Sequence, residues 1–297
     1  MKSPLKTAYR SFVAPIARKV IKASRRDFQR AIVVPLDGGL GLQMWRYAIG
    51  RAARDASNLP VLYDASRFEG GISGLEGVFP AIDPQKAPDA LARIYKRYFF
   101  TGDPGGDPMV CDASLLSSNE PRYLGGRYLN AAYIGGQGDA LLEEFAFGPI
   151  LSDESRYIFS SIYMEDLPVA VHFAPGTVSE RYFSVAARTM SERLAPAKPV
   201  FFVFIAKDAK GVDILSDTGL EFVYVDWDQG SEPVRMYLMS RCKHFIISNS
   251  LFSWWPAWLS RELSDKIVMT PDKWLPESRK ADAGAMTLPG WTVLSGE

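Results

Sequence analysis

Strand–helix alternation along the chain predicts an α/β protein of two domains, each built on a parallel, doubly wound sheet. Three observations carry that expectation. Apolar runs at 168–173, 200–206, 220–227, 244–248 and 266–270 read as buried strands. Helical stretches near 180–194, 208–216, 232–243 and 253–262 fall between them, as right-handed strand–helix–strand units require. The chain also opens the same way, with a strand at 32–36, a glycine turn at 37–41, a helix from about 43 to 57 and a strand at 61–63. Ligands on such sheets bind outside the carboxyl ends of the strands, where the strand order reverses.

The 297 residues are 47% hydrophobic and 12% aromatic, which excludes a disordered, collagenous or coiled-coil chain. That length suits one large domain or two of about 130–150 residues. The stretch 70–120 is less regular, with Gly, Pro and Asp scattered through it, and a hinge is expected near 150–167. The organisation expected is a basic arm at 1–30, a first α/β domain at 31–165 and a second at 166–297. Two cysteines, Cys111 and Cys242, make no disulfide framework and fit a reducing compartment. Two histidines and two cysteines also exclude a His/Cys transition-metal cluster.

Basic and acidic residues balance at 34 each, but unevenly. Residues 1–30 hold nine basic groups and one acid, Asp27, which leaves the rest at −8 and argues against a nucleic-acid partner. No apolar run approaches the roughly 20 residues needed to span a bilayer, and no signal-peptide core follows the basic start, so a cytoplasmic protein is expected. Within the arm, Leu5, Tyr9, Phe12, Val13, Ile16, Val20 and Ile21 recur at helical spacing. That pattern suits peripheral contact with an anionic membrane face, although Pro15 interrupts it; a packed leader is the plainer reading.

Five groups of residues carry candidate chemistry. Gly38, Gly39 and Gly41 join a strand to a helix N-terminus, where close backbone approach and free amides favour an anionic or polar ligand; the same glycines serve a structural turn equally well. The spacing is not that of a dinucleotide or P-loop fingerprint. Asp226 and Asp228 end an apolar strand, an arrangement that holds Mn²⁺ or Mg²⁺ in some transferases and arises often in loops. Asn249, Ser250 and Ser253 follow the fourth strand of the second half, where they cap a helix and offer donors to a phosphate. Trp254, Trp255 and Trp258 read either as core or as the wall of a sugar or base site. His172 ends the first strand of the second half at the ligand-binding edge, whereas His244 starts a strand and is structural.

Two segments match a known pattern. Gly38 to Ala52, G-G-L-G-L-Q-M-W-R-Y-A-I-G-R-A, resembles the opening signature of the alpha-1,2-fucosyltransferases (glycosyltransferase family 11), G-G-L-G-N-Q-M-F-Q-Y-A-x-G-R-A, and Gln43 falls on its Gln. Met236 to His244 and Ile247 to Leu259 are similar to the second, Y-L-M-S-x-C-K-H-x-I-I-x-N-S-S-F-S-W-W-G-A-W-L. The resemblance covers about 31–275, weakly at 65–165. It implies two Rossmann-like domains facing a cleft (GT-B-like), with GDP-fucose held mainly by the second and a glycan acceptor by the first. The implied reaction is metal-independent, inverting transfer of L-fucose to a galactose 2-hydroxyl, with no cofactor.

The chain also departs from that family. After its first C-terminal strand the family carries H-x-R-x-G-D-Y, whose Arg meets the diphosphate and whose Asp serves as base. Here the stretch is His172 to Val178, with Ala174 at the Arg and Thr177 at the Asp. A charge-assisted contact contributes about 1.5–3 kcal/mol, so the loss is costly. Leu42 and Pro256 are further departures. With the Asp gone, His172 is the remaining candidate to take the acceptor proton. Three readings follow: an active fucosyltransferase-like enzyme of surface polysaccharide synthesis, a degenerate homologue that binds a glycan or nucleotide or supports a partner, and a metal-dependent transferase using Asp226 and Asp228.

Overall fold

The computed structural model describes residues 30–68, 74–174, 178–206, 213–226, 231–260, 265–275 and 282–296. The basic arm lies outside them except for Arg30, as do Gly176, Thr177 and Asp228. Contacts divide the chain into two compact units. Of the described residues, the first takes those up to Gly38, in Leu42–Gly77 and in Ala81–Leu141; the second takes Gly39–Gly41, Val78–Pro80 and those from Leu142 on. The division after Leu141 differs from the expected boundary at 165. The intervening segment joins the second unit through aromatic packing: Phe147 and Phe159 meet Tyr237 at ring separations of 5.3 and 6.1 Å.

The first unit comprises β1 (Ile32–Pro35), α1 (Leu40–Ala56), β2 (Val61–Asp64), α2 (Gly74–Val78), α3 (Asp89–Tyr98), β3 (Phe100–Thr101), α4 (Ser114–Ser117), β4 (Arg122–Leu124) and α5 (Gly138–Glu144) at its edge. Its sheet is parallel, in the order β2-β1-β4-β3. Val33, Leu62, Tyr95, Phe99 and Tyr123 fill its core, and the buried Tyr95 hydroxyl accepts the Ala31 amide at 2.8 Å.

The second unit continues with α6 (Asp153–Met164), β5 (Pro168–Phe173), α7 (Glu180–Leu194), β6 (Val200–Ile205), β7 (Phe222–Val225), α8 (Glu232–Ser240), β8 (His244–Ile246), α9 (Leu251–Leu259), β9 (Val268–Pro271) and β10 (Thr292–Leu294). Its six strands are parallel in the order β10-β9-β8-β5-β6-β7. Every residue of β5 and β6 is buried, which is why both read as unbroken apolar runs. Burying each such Val or Phe contributes about 1.5–3 kcal/mol. The expected helix at 208–216 is not found in its described part, where Ser216–Thr218 forms one 3-10 turn. The sheet also gains a strand, β10, beside β9.

The strand order of the second sheet reverses once, between β5 and β8, and that reversal positions the candidate site. Among the described residues, no helix is long and apolar enough to cross a membrane.

Candidate functional site

His172 ends β5, and Ser248 follows β8 across the reversal, with His172 Nδ1 and Ser248 Oγ 2.9 Å apart. Ser248 Oγ lies 3.4 Å from Ser253 Oγ, which reaches the Ser250 carbonyl at 3.1 Å. Ser250 is the N-cap of α9 and accepts the Phe252 amide at 3.2 Å. The Phe252 ring rests 5.2 Å from the His172 imidazole. Asn249 and Ser250 are half-buried on this edge, with the hydroxyl array behind them closed off from water.

That burial corrects the role expected of His172. Desolvation, reinforced by the charge of Arg235, pushes its pKa down to about 3, so the ring is neutral at physiological pH and a weak base. Bound to Ser248, it fixes the hydroxyl array instead of accepting protons.

The glycine turn packs on the same edge within the second unit. A Cβ on Gly41 would lie 2.7 Å from the Phe252 amide nitrogen and 2.8 Å from the Leu251 carbonyl carbon, so only glycine admits this approach. Trp255 Nε1 donates to the Gly41 carbonyl at 2.9 Å. A Cβ on Gly39 would lie 2.9 Å from Glu232 Oε1, and that same oxygen accepts the Leu40 amide at 3.0 Å. The protein's own carboxylate therefore occupies an amide at the α1 N-terminus that was expected to face a ligand. Gly38, at φ +77°, makes the bend.

Gln43 is also corrected. Its Nε2 donates to the Gly38 carbonyl at 2.8 Å and its Oε1 accepts the Gly74 amide at 3.0 Å, so both ends of a buried side chain brace the turn. Trp254 is core: it is fully buried, donates Nε1 to the Met286 carbonyl at 2.8 Å and meets Trp255 edge-on at 5.1 Å. It is therefore no wall of an open site. Asp226 is exposed at the end of β7. Among the described residues, no group of three or more His, Cys, Asp or Glu side chains is placed to hold a metal ion.

Two residues escaped the sequence reading. Arg235, on α8, is fully buried; it donates to the carbonyls of Val225 at 3.1 Å, Asp226 at 2.5 Å and Ile205 at 2.7 Å, tying together the carboxyl ends of β6 and β7. Burial lowers its pKa to about 10 against the pull of Asp226. Its signal was a cation inside the apolar run Val234 to Met239. Glu232, at the start of the same helix, has its pKa raised by burial, opposed by the Leu40 amide. Nothing in its local sequence separates it from an ordinary first-turn acid.

Residues 173–295 match the sequence model of glycosyl transferase family 11. The chain is 45% identical over 61 residues to the O-antigen biosynthesis glycosyltransferase WbnK of Escherichia coli, covering 20% of this chain and 19% of that protein. It is 35% identical over 102 residues to an alpha-1,2-colitosyltransferase of Escherichia coli, 32% of this chain and 33% of that one. The matched segments thus span between a fifth and a third of those relatives' lengths. Among solved structures, a mutant of Arabidopsis thaliana FUT1 in complex with GDP aligns over 86% of this chain and 75% of its own, at 12% identity and a TM-score of 0.49. The family match runs from the end of β5 through β10 and contains the hydroxyl array at the α9 N-terminus, so this part of the second unit is similar to glycosyl transferase family 11.

Proposed function

We propose that the protein transfers L-fucose from GDP-fucose to a galactoside hydroxyl of a glycan, with inversion and without a metal, in the synthesis of a surface polysaccharide. The observation that carries this reading is the α9 N-terminus at the β5–β8 reversal, where half-buried Asn249 and Ser250 lie in front of the buried His172, Ser248 and Ser253 that brace it. A helix N-terminus with hydroxyl and amide groups at a strand-order reversal suits a nucleotide diphosphate. In this reading Asp226, exposed at the end of β7, contributes to the nucleotide site. The resemblance of this segment to the alpha-1,2-fucosyltransferases supplies the donor and the bond formed. In the same reading, residues 1–30 bring the protein to the inner membrane face.

Titration calorimetry with GDP and GDP-fucose, with and without EDTA, tests it. Micromolar binding that EDTA leaves unchanged is the expected result. Loss of binding in EDTA would instead favour a metal held through Asp226 and Asp228. One observation favours a second reading: Ala174 stands where the family has its diphosphate-binding Arg, as in a homologue that keeps a partner or glycan but not the donor. Absence of binding to either nucleotide would select it.

A further inference from the structure

On the transferase reading, we infer that Glu232 is the group that takes the proton from the acceptor hydroxyl, in the place the family gives to the Asp that is Thr177 here. Its position comes first. Glu232 opens α8 at the carboxyl edge of the second sheet, one connection after β7. Its Oε1 lies where a Cβ on Gly39 would intrude, and holds the Leu40 amide. Two residues on, Gly41 touches the backbone of Leu251 and Phe252, and Phe252 rests on His172. The carboxylate, the glycine turn, the α9 N-terminus and the hydroxyl array therefore form one continuous contact surface. Gly39 keeps room for the carboxylate, which gives that motif glycine a reason beyond the turn itself.

The surroundings suit a base. Glu232 is half-buried and keeps part of its surface open to solvent, whereas His172 is sealed. Of the charged groups nearby along the chain, Arg235 lies one turn further on with its guanidinium committed to the β6 and β7 carbonyls, and Asp226 ends β7. His172 is neutral. Asp37, before the turn, is paired with Arg46 at 2.6 Å. Burial moves the Glu232 pKa upward, toward the range where a carboxylate is an effective base near neutral pH. In the step itself, one carboxylate oxygen removes the hydroxyl proton as the acceptor oxygen bonds to C1 of fucose. The C1–O bond to the β-phosphate breaks, GDP leaves with the electron pair, and C1 inverts. Protonated Glu232 then returns its proton to water.

Glu232→Gln separates this role from a structural one, because the Gln carbonyl still accepts the Leu40 amide. The full chain and this variant are compared for turnover of GDP-fucose, with lactose as acceptor and with water alone, and for GDP binding by calorimetry. The expected result is a loss of kcat of about 10²-fold or more with GDP affinity within twofold of the parent. The parent's kcat/KM should rise with pH through a carboxylate ionisation that the variant lacks. Turnover by Glu232→Gln within a few-fold of an active parent overturns the assignment and leaves the transferase reading standing. A parent that neither binds GDP nor turns over GDP-fucose overturns both.

Discussion

His172 and Glu232 lie on the same edge of one sheet, and burial shifts the pKa of each, with opposite consequences for chemistry. Desolvation penalises whichever form carries charge. For the imidazole that is the protonated form, so His172 leaves the neutral range downward, to about 3. For the carboxylate it is the ionised form, so Glu232 moves up toward neutrality. The degree of enclosure separates them further. His172 is closed off and bonded to Ser248, whereas Glu232 is half-buried with Oε1 on a single amide. One of two titratable groups on the same edge is enclosed in the scaffold, and the other stays partly open to solvent.

Glycine substitutions around the turn probe this contrast. Gly39→Ala places a methyl group against the end of the flexible Glu232 side chain, so it should shift the carboxylate while disturbing the fold little. A displacement of about 1 Å at a reacting group costs on the order of 10²-fold in rate. Turnover should fall by about that factor while the melting temperature stays within about 2 °C, a stability change of about 1 kcal/mol or less. A large fall in melting temperature with turnover per folded molecule preserved would show that Gly39 serves packing alone.

Gly41→Ala should do the reverse. Its methyl group would meet the Phe252 amide nitrogen at 2.7 Å, and backbone cannot step aside as a side chain can. Overpacking of this kind costs about 1–3 kcal/mol. The denaturant midpoint should fall accordingly, and GDP affinity with it if the α9 N-terminus is displaced. An unchanged midpoint would mean that the turn and α9 separate without cost.

How far these roles were legible in the sequence follows from the physics of each element. β5 and β6 are buried along their whole length, so their apolar runs locate them to within a residue. The segment from 65 to 165 is hard to read because several of its elements are short, with two residues in β3, three in β4 and four in α4. Its order comes from side chains bonding to backbone. Asp103 Oδ1 accepts the Arg127 and Tyr128 amides at 2.7 and 2.8 Å, and Asn130 Oδ1 accepts the Ala132 amide at 3.0 Å, a pattern without periodicity. β10 is not marked in the sequence because it is an edge strand of three residues, none of them buried. At the site, the glycines, Asn249 and the serines are marked by residue type. Glu232 and Arg235 are not, because their roles depend on which strand ends and which turn the fold brings to α8. Trp254 had two readings by composition, and only its enclosure decides for the core.

The smallest expected effect concerns His172, and it appears as a pH dependence of stability. Its pKa is near 6.5 in an unfolded chain and about 3 in the fold, so between those values the unfolded state binds more protons. A depressed pKa of this kind contributes stability that is present in full above about pH 6.5 and is lost as the pH falls toward 3. His244, whose pKa is also lowered by burial, adds a slope of the same sign. His172→Asn keeps a polar atom facing Ser248 but does not titrate. Its denaturant midpoint should therefore fall less steeply than the parent's between pH 6.5 and 4, while the pH profile of turnover keeps the parent's shape. Parallel stability profiles would mean that His172 takes up a proton without leaving the fold. A turnover profile altered by His172→Asn would return the imidazole to the chemistry and remove the contrast with Glu232.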